Sequence, residues 1–227
     1  MKTKDHIIEL ERKNIEANGY NIPNVVLKPV NPKGTAVIVH GYGGCKKEML
    51  GLSWRIAEFG FTTCAIDLRG HGEHPLDFDK NILLDQETTI SYFKGFGKVT
   101  AIGHSLGGRF SLISNADFKI GISPAIAERF AQQTQDVTKQ QRDYRVRKPS
   151  NLSVFDILNE LPMVKFDETK SMIIYGSQDI PEIVSDCKKY ESKRLPVTQI
   201  EEVIHRDSFL HERTYQIINK KMQDWYR

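Results

Sequence analysis

Short apolar runs recur along the chain and alternate with helix-like segments. Residues 35–40, Thr-Ala-Val-Ile-Val-His, form a nearly continuous apolar run, which is typical of a strand buried on both faces of a sheet. Residues 7–12 and 24–28 are predicted to pair as strands across the turn signal Asn18-Gly19. Further strands are predicted over residues 62–67, 98–103, 119–123, 172–176 and 197–203.

The spacing of apolar residues predicts helices between these strands. Positions 49, 52, 56 and 59 are apolar at intervals of three and four residues, and Gly60 follows as a helix terminator. Other helices are predicted from Ile82 to Phe93, from residue 106 to about 114, and from about residue 210 onward. Strands and helices in alternation predict an α/β fold with a largely parallel sheet.

The alternation stops between residues 124 and 170. This segment is rich in Gln, Lys and Arg, and Pro149 and Pro162 interrupt it. A chain of 227 residues forms one domain of ordinary size, so we expect a single domain over residues 1–227 with an insertion at about 124–170. Insertions over a rigid sheet commonly carry the variable part of a functional site.

The sequence Gly103-His104-Ser105-Leu106-Gly107 joins a predicted strand to a predicted helix. A serine in such a nucleophile elbow has a strained backbone, and the glycines on either side let neighbouring segments pass closely. The serine hydroxyl then stands at the N-terminus of the helix, where the partial positive charge favours a developing anion. We interpret Ser105 as a candidate nucleophile, with an ordinary loop serine as the alternative.

A serine hydroxyl needs a general base and an orienting acid to act as a nucleophile. In this topology the acid and then the base follow the serine along the chain, each after a strand. Asp179 and His205 follow the last two predicted strands and are the candidates. Their rivals, Asp186 and His211, fall in predicted helices and are interpreted as surface or capping residues.

A glycine-rich loop, His40-Gly41-Tyr42-Gly43-Gly44, follows the strand at residues 35–40. Its glycines allow a backbone N–H to turn toward a substrate carbonyl, and the N–H of Leu106 is the expected second donor of an oxyanion hole. With Asp67 at the end of the next strand, the loop also imitates a dinucleotide-binding fingerprint. Lys46 stands where the third glycine of that fingerprint belongs, and no Gly-Lys-Ser/Thr sequence indicates a P-loop.

Composition argues against several classes of protein. The chain has 32 Lys+Arg against 29 Asp+Glu, a net charge of +3 spread along the sequence, whereas nucleic-acid binding usually needs a basic face. No apolar run exceeds four residues, and a membrane span needs roughly 20. Cys45, Cys64 and Cys187 fit neither a disulfide framework nor a zinc motif, and residues 1–6 carry no secretory signal. We therefore expect a cytoplasmic protein with reduced thiols.

The motifs taken together resemble those of serine hydrolases of the α/β-hydrolase superfamily, in the branch of small esterases, monoacylglycerol-lipase-like enzymes and serine-aminopeptidase-like proteins. The resemblance rests on the sequences at residues 40–44, 67–72 (Asp-Leu-Arg-Gly-His-Gly), 103–108 and 176–179, and on His205. It covers most of the chain apart from the insertion. It implies the α/β-hydrolase fold, a mostly parallel twisted sheet with helices on both faces and a small cap. The chain departs from relatives at Ile204, where many carry glycine, and at Glu73-His74.

The resemblance also implies roles for individual residues. Ser105 would be the nucleophile, Asp179 the acid and His205 the base, with Tyr42 and Leu106 as the oxyanion donors. The implied reaction cleaves a carboxylic ester of a small-molecule acyl substrate through an acyl-enzyme, and it requires no cofactor and no metal. His71 and His74 could form a metal pair, but no third ligand at suitable spacing accompanies them. The sequence makes no prediction of oligomeric state.

Several alternatives remain open at this point. The same residues could cleave a thioester or an amide, as in a thioesterase or an aminopeptidase, and the fold also supports perhydrolysis and C–C bond cleavage. A binding protein that has lost turnover is a further possibility. In the superfamily the insertion forms a cap, and residues 128–148 here hold six basic and three acidic residues. We hypothesise a basic cap that steers anionic substrates through Arg142, Arg145 and Arg147, with a solvated helix face as the alternative.

Overall fold

A computed structural model describes residues 7–227, so the predicted absence of a secretory signal at residues 1–6 lies outside the described residues. Short 3₁₀ helices occupy Lys46–Met49 and Asp143–Arg145. The strands are β1 (Ile8–Glu11), β2 (Glu16–Ala17), β3 (Tyr20–Asn21), β4 (Asn24–Pro29), β5 (Thr35–Val39), β6 (Thr62–Ile66), β7 (Val99–His104), β8 (Phe118–Ile122), β9 (Ser171–Gln178) and β10 (Val197–Ile204). The α-helices are α1 (Leu50–Glu58), α2 (Leu83–Lys94), α3 (Leu106–Ile113), α4 (Gln132–Arg142), α5 (Val154–Glu160), α6 (Pro181–Ser192) and α7 (Glu212–Trp225).

Within residues 7–227, eight strands form one sheet in the order β1-β4-β6-β5-β7-β8-β9-β10. Neighbours from β6 to β10 are parallel, whereas β4 is antiparallel to both β1 and β6. All five residues of β5 are buried, as the continuous apolar run predicts for a strand covered on both faces. The predicted largely parallel sheet is confirmed. Because β5, β7, β9 and β10 are parallel, the loops that follow them emerge at the same edge of the sheet.

Helices cover both faces of the sheet. Leu52 and Ile56 of α1 pack with Ile218 and Met222 of α7 in one core layer, which Ile38 of β5 also enters. On the other face, α2 and α3 pack in a second layer that contains Val37 and Val39, the alternate residues of β5. α6 covers the end of this face beside β9. Alternate side chains of a strand point to opposite faces, which is why one short apolar run serves both layers.

One predicted connection is wrong. β1 and β4 pair antiparallel as expected, with Ile8 opposite Pro29. Asn18 and Gly19, however, join β2 to β3 in a separate two-stranded hairpin, where their φ angles are 46° and 87°. Asparagine and glycine tolerate this left-handed backbone better than other residues, so the turn signal is real although it does not join the strands it was assigned to.

The segment between β8 and β9 contains α4 and α5, which differ in their packing. The Ser153 side chain caps α5 through a capping box, and α5 buries Val154 and Ile157 against the core. By contrast, α4 has no buried residue. Among the described residues, no helix combines the length and apolar character needed to cross a membrane.

Candidate active site

Ser105 forms the turn from β7 into α3, with φ of 54° and ψ of −114°. This conformation is strained for a residue with a side chain. A Cβ atom on Gly103 would lie 2.1 Å from the Gly107 carbonyl oxygen, and one on Gly107 would lie 2.6 Å from the His40 carbonyl oxygen. Nothing larger than glycine fits at either position, which is the physical reason for the glycine spacing around the serine.

The Ser105 backbone is held on both sides. Its N–H donates to the Ile122 carbonyl oxygen at 3.0 Å, and its carbonyl oxygen accepts from the N–H groups of Arg109 and Ala125, each at 3.0 Å. β8 and the first turn of α3 therefore fix the elbow together. The serine side chain stands at the N-terminus of α3, where unpaired backbone N–H groups favour negative charge.

Asp179 and His205 lie directly after β9 and β10, and the two side chains meet. Nδ1 of His205 donates to Asp179 Oδ1 at 2.6 Å. The Asp179 side chain is fully buried, whereas that of His205 is 17% exposed. A carboxylate on Nδ1 fixes the tautomer whose Nε2 can accept a proton.

The Asp179 carboxylate accepts further hydrogen bonds from residues that the sequence motifs do not include. Ser123, the residue after β8, donates its hydroxyl to Oδ2, and the Ile180 N–H donates to Oδ1 at 2.7 Å. Burial alone would raise the pKa of Asp179, but the hydrogen bond and charge of His205, followed by Ser123, outweigh it and lower the pKa below its usual value. Asp179 is therefore held as a carboxylate facing the imidazole.

Ser123 also links Asp179 to the backbone of the histidine loop. Its hydroxyl lies 2.8 Å from Ser208 Oγ, which in turn donates to the His205 carbonyl oxygen at 3.0 Å. Ser123 has a φ of 45°, an uncommon value for serine, and the strain places its side chain in this network. Its sequence context, a serine just past a strand, carries no motif that would have identified it.

Ser105 and His205 line one cavity of about 860 Å³ at the edge where the parallel strands end. Asp179 lies behind His205, so the structure brings the three predicted residues to one place. Within the described part of the chain, however, no hydrogen bond joins Ser105 Oγ to His205, and the Nε2 of His205 forms none. In unliganded sites this contact is often long and tightens when the substrate binds.

His104 packs beside the imidazole of His205. Its Nε2 donates to the His205 carbonyl oxygen at 2.9 Å, and the two ring centroids are 4.7 Å apart. Burial, followed by the charge of His205, lowers the pKa of His104 to about 3, so this histidine is neutral at ordinary pH. A neutral ring here supports His205 without adding a second positive charge.

The predicted oxyanion donors, Tyr42 and Leu106, both border the elbow. Tyr42 lines the cavity and Leu106 is the first residue of α3. Neither of their N–H groups donates to another backbone group within residues 7–227, which leaves both free for a ligand. The Tyr42 hydroxyl, by contrast, donates to Asp143 Oδ1 at 2.8 Å and ties this loop to the segment after α4.

His71 supports the same loop and is not arranged as a metal ligand. Its Nε2 accepts from the Gly43 N–H at 3.0 Å, while its Nδ1 lies 3.0 Å from the Arg69 carbonyl oxygen. His74 has Nδ1 bound by the Leu76 N–H at 3.1 Å. Among the described residues no group of three or more His, Cys, Asp and Glu side chains could hold a metal ion. Burial lowers the pKa of His71 to about 3, as expected for a neutral, structural imidazole.

Lys46 is fully buried and binds Asp67. Its Nζ lies 2.5 Å from Asp67 Oδ2, and its backbone N–H donates to Oδ1 at 2.7 Å. A dinucleotide-binding site would need this carboxylate free for a ribose. In this structure the Asp67 carboxylate is instead paired with Lys46, the residue that replaces the third glycine of the fingerprint.

The two rival residues are placed as predicted. Asp186 lies on α6 and pairs with Lys189 one helical turn away. His211 caps α7, because its Nδ1 accepts from the Arg213 N–H at 3.2 Å. Neither side chain lines the cavity.

Comparison with known proteins gives one family match and several relatives. The model of the alpha/beta hydrolase family matches residues 36–169. Ethanol acetyltransferase 1 of Wickerhamomyces anomalus is 34% identical over 100 residues, which cover 41% of this chain and 26% of that protein. The corresponding protein of Wickerhamomyces ciferrii is 32% identical over 100 residues, again 41% of this chain and 25% of that protein. The alignment thus spans about a quarter of each relative's length.

Solved structures of similar fold include esterases of low sequence identity. An esterase of Pyrococcus furiosus superposes with a TM-score of 0.68 at 16% identity, covering 97% of this chain and 94% of that one. An esterase of Pyrobaculum calidifontis gives 0.64 at 16% identity, with 98% and 85% covered. At these identities the likeness establishes the shared fold.

Proposed function

This chain belongs to the alpha/beta hydrolase family, and we propose that it is a serine hydrolase that cleaves a carboxylic ester through an acyl-enzyme on Ser105. In this proposal His205 is the general base, Asp179 the orienting acid, and Tyr42 and Leu106 the oxyanion donors. The observation that carries it is the Asp179–His205 hydrogen bond at 2.6 Å, beside the strained Ser105 elbow in a shared cavity.

In the first half of the reaction, Ser105 Oγ attacks the ester carbonyl carbon as its proton moves to Nε2 of His205. Asp179 keeps the imidazole in the tautomer with a free Nε2 and stabilises the imidazolium that forms. The carbonyl oxygen becomes negative and accepts hydrogen bonds from the N–H groups of Tyr42 and Leu106. Each such donor contributes roughly 10²–10³ in rate, because its partner charge exists only in the transition state and intermediate.

In the second half, the bond to the alcohol breaks and His205 returns its proton to the leaving oxygen. A water molecule then enters beside His205 and gives a proton to Nε2 as it attacks the acyl carbon. Collapse of the second tetrahedral intermediate releases the acid and restores the Ser105 hydroxyl. Every proton in the cycle passes through one imidazole nitrogen.

A second candidate is transfer of the acyl group to an alcohol. It is favoured by the two yeast relatives, which are named ethanol acetyltransferases. The chemistry up to the acyl-enzyme would be unchanged, and an alcohol would take the place of water in the second half. Cleavage of a thioester or an amide would differ from ester cleavage in the first half of the reaction, because the leaving group would be a thiol or an amine.

The test is turnover of p-nitrophenyl esters, acyl-CoAs and aminoacyl-nitroanilides by the purified protein and by the Ser105→Ala variant. We expect ester cleavage, and we expect the variant to lose roughly 10⁴–10⁶ in kcat, because it lacks the hydroxyl that forms the acyl-enzyme. Thermal unfolding of both proteins provides the control for folding. Wild-type turnover by Ser105→Ala would contradict the proposal.

A parallel assay separates the two acyl acceptors. Ester cleavage is repeated with added ethanol, and the acid and the ethyl ester are measured by chromatography. Acid as the dominant product at millimolar ethanol supports hydrolysis. Ethyl ester in excess over acid would instead assign the chain to alcohol acyl transfer.

A further inference from the structure

The cavity above Ser105 has an apolar wall and a polar wall. The apolar wall is formed by Met49, Ile180, Pro181, Ile204, Phe209 and Leu210. The polar wall is α4, whose lining residues are Gln133, Thr134, Val137, Thr138, Gln141 and Arg142. They recur at intervals of one and three or four residues and therefore share one face of the helix. α4 buries no residue in the core, and this face of the helix lines the cavity.

Arg142, at the end of α4, has a half-buried side chain beside the candidate oxyanion loop. A Cβ atom on Gly43 would lie 3.0 Å from the Arg142 Cβ, so the two backbones are in close contact. Within residues 7–227 the Arg142 guanidinium forms no ion pair or side-chain hydrogen bond. A guanidinium that has lost part of its water without gaining a partner is energetically costly, and an anion in the cavity would relieve that cost.

A second arginine lies on the same cavity. Arg206 follows His205, lines the cavity, and forms no ion pair with any described residue. Burial, followed by repulsion from Arg206 and then Arg145, lowers the pKa of Arg142. Two cations that repel each other across a site are stabilised when an anion binds between or beside them.

The acidic residues of the cavity limit the charge of the ligand. Glu48 lines the cavity but pairs with Arg145, 3.2 Å away, and Asp207, the residue after Arg206, also lines the cavity. A singly charged carboxylate can pair with Arg142 under these conditions, whereas a phosphate dianion would meet stronger repulsion from both acids. The planar guanidinium also matches carboxylate geometry through two parallel hydrogen bonds.

The structure corrects the sequence hypothesis of a basic cap formed by three arginines. Arg145 is engaged with Glu48. Arg147 donates to the backbone carbonyl oxygens of Gly72, His74 and Leu76, and does not line the cavity. Arg142 is the member of the three that faces the site.

We propose that Arg142, assisted by Arg206, binds a carboxylate of the substrate, so that the enzyme selects esters carrying a negative charge. The carboxylate belongs either to the acyl part or to the alcohol part of the ester. This inference rests on the proposed function, because it assigns the substrate class of the same cavity.

Binding to the Ser105→Ala variant tests the proposal without turnover. Calorimetry compares an anionic ester with a neutral analogue in two arms. In the acyl arm the charge is on the acyl part, and 4-nitrophenyl hemisuccinate is compared with 4-nitrophenyl levulinate. In the alcohol arm the charge is on the alcohol part, and 3-carboxyphenyl acetate is compared with 3-acetylphenyl acetate. In one arm we expect the anionic ester to bind about tenfold more tightly at ~20 mM salt, as for one charge-assisted hydrogen-bonded contact. The preference should shrink at ~300 mM salt, because screening weakens it.

Three variants on the Ser105→Ala background assign the effect to individual residues. Arg142→Gln should abolish the preference while keeping the side-chain stem against Gly43. Arg206→Gln should lower the preference by about threefold, since that side chain is exposed. Lys139→Gln is the matched control, because it removes one positive charge from an exposed position of α4 that does not line the cavity.

Equal affinity for the anionic and neutral esters in both arms would overturn the proposal, as would a preference that survives Arg142→Gln. The proposed function stands or falls separately on wild-type turnover. If the protein hydrolyses esters but binds all four probes equally, the proposed function holds and the proposed preference for anionic esters is wrong.

Discussion

Two aspartate–histidine pairs among the described residues have opposite surroundings. In the first, Asp179–His205, the His205 side chain is 17% exposed and lines the cavity with Ser105, and its Nε2 forms no hydrogen bond to any described residue. In the second, His74 lies 3.4 Å from Asp85, and both side chains are fully buried. Arg69 and the Tyr20 hydroxyl also donate to Asp85, and Nδ1 of His74 accepts from the Leu76 N–H.

The difference shows what separates a candidate catalytic pair from a structural one. An imidazole can transfer protons only if one nitrogen is held by the acid and the other is accessible to substrate. His205 meets both conditions because it follows β10 at the open edge of the sheet. His74 is enclosed by the turn after β6 and by α2, so its pair with Asp85 fixes the fold.

The largest expected difference is between the two histidines. His205→Ala should lose roughly 10⁴–10⁶ in kcat for ester cleavage, because the variant lacks the candidate general base that takes the Ser105 proton. His74→Ala should instead lower the free energy of unfolding by about 1–3 kcal/mol, as expected when a buried polar contact is lost. Steady-state kinetics and urea unfolding of both variants measure the contrast. A larger loss of kcat in His74→Ala than in His205→Ala would reverse the assignment.

The two aspartates should differ in the same way. Asp179→Asn should reduce kcat by about 10⁴, because the amide no longer selects the reactive tautomer of His205. Asp85→Asn should cost about 3 kcal/mol of unfolding free energy by leaving Arg69 poorly paired in the interior. Asp186→Asn and His211→Ala, on the surfaces of α6 and α7, serve as controls with little effect on either quantity.

The pH dependence of stability gives a further test of the structural role of the His74–Asp85 pair. Burial by itself would raise the pKa of Asp85, but the His74 imidazole 3.4 Å away and the hydrogen bonds from Arg69 outweigh it and lower the pKa. A lowered folded-state pKa stabilises the fold above the unfolded-state value of about 4, and the contribution disappears as the pH falls below it. We therefore expect Asp85→Asn to lose unfolding free energy at pH 7 and to show a flatter decline in acid than the wild type. Parallel curves for the two proteins below pH 5 would contradict this account.

The smallest expected effect is that of Ser123→Ala. Its hydroxyl positions Asp179 and, through Ser208, the His205 backbone, without contacting the substrate. Loss of this hydrogen bond to a carboxylate should lower kcat by about tenfold with KM little changed. The acid limb of the pH–rate profile should also shift toward higher pH, because the Ser123 hydrogen bond helps to lower the pKa of Asp179, and without it the carboxylate takes up a proton at higher pH. An unchanged profile together with lower thermal stability would make Ser123 a purely structural residue.

The elbow could be predicted from the sequence because its geometry is local. Glycines at positions 103 and 107 are required wherever a strand turns into a helix this closely, and the requirement is visible in the spacing alone. The positions of Asp179 and His205 followed from the parallel sheet, which brings strand ends together at one edge.

Other parts of the site depend on long-range packing and could not be predicted. Ser123 resembles any serine after a strand, and its role arises from the approach of β9 and of the loop after β10. Arg142 could not be told from Arg145 and Arg147 by sequence, since all three lie close together in a basic segment. Their different partners are decided by how the segment between β8 and β9 folds back over the elbow.

The central claim is that Ser105 is the nucleophile activated by His205. Its most direct test is labelling of the native protein with a fluorophosphonate, followed by peptide mapping of the adduct by mass spectrometry. We expect one adduct, on Ser105, and no adduct in Ser105→Ala. Labelling should be strongly slowed in His205→Ala, whereas folded His74→Ala protein should be labelled at the normal rate. An adduct on another residue, or labelling that persists in Ser105→Ala, would contradict it.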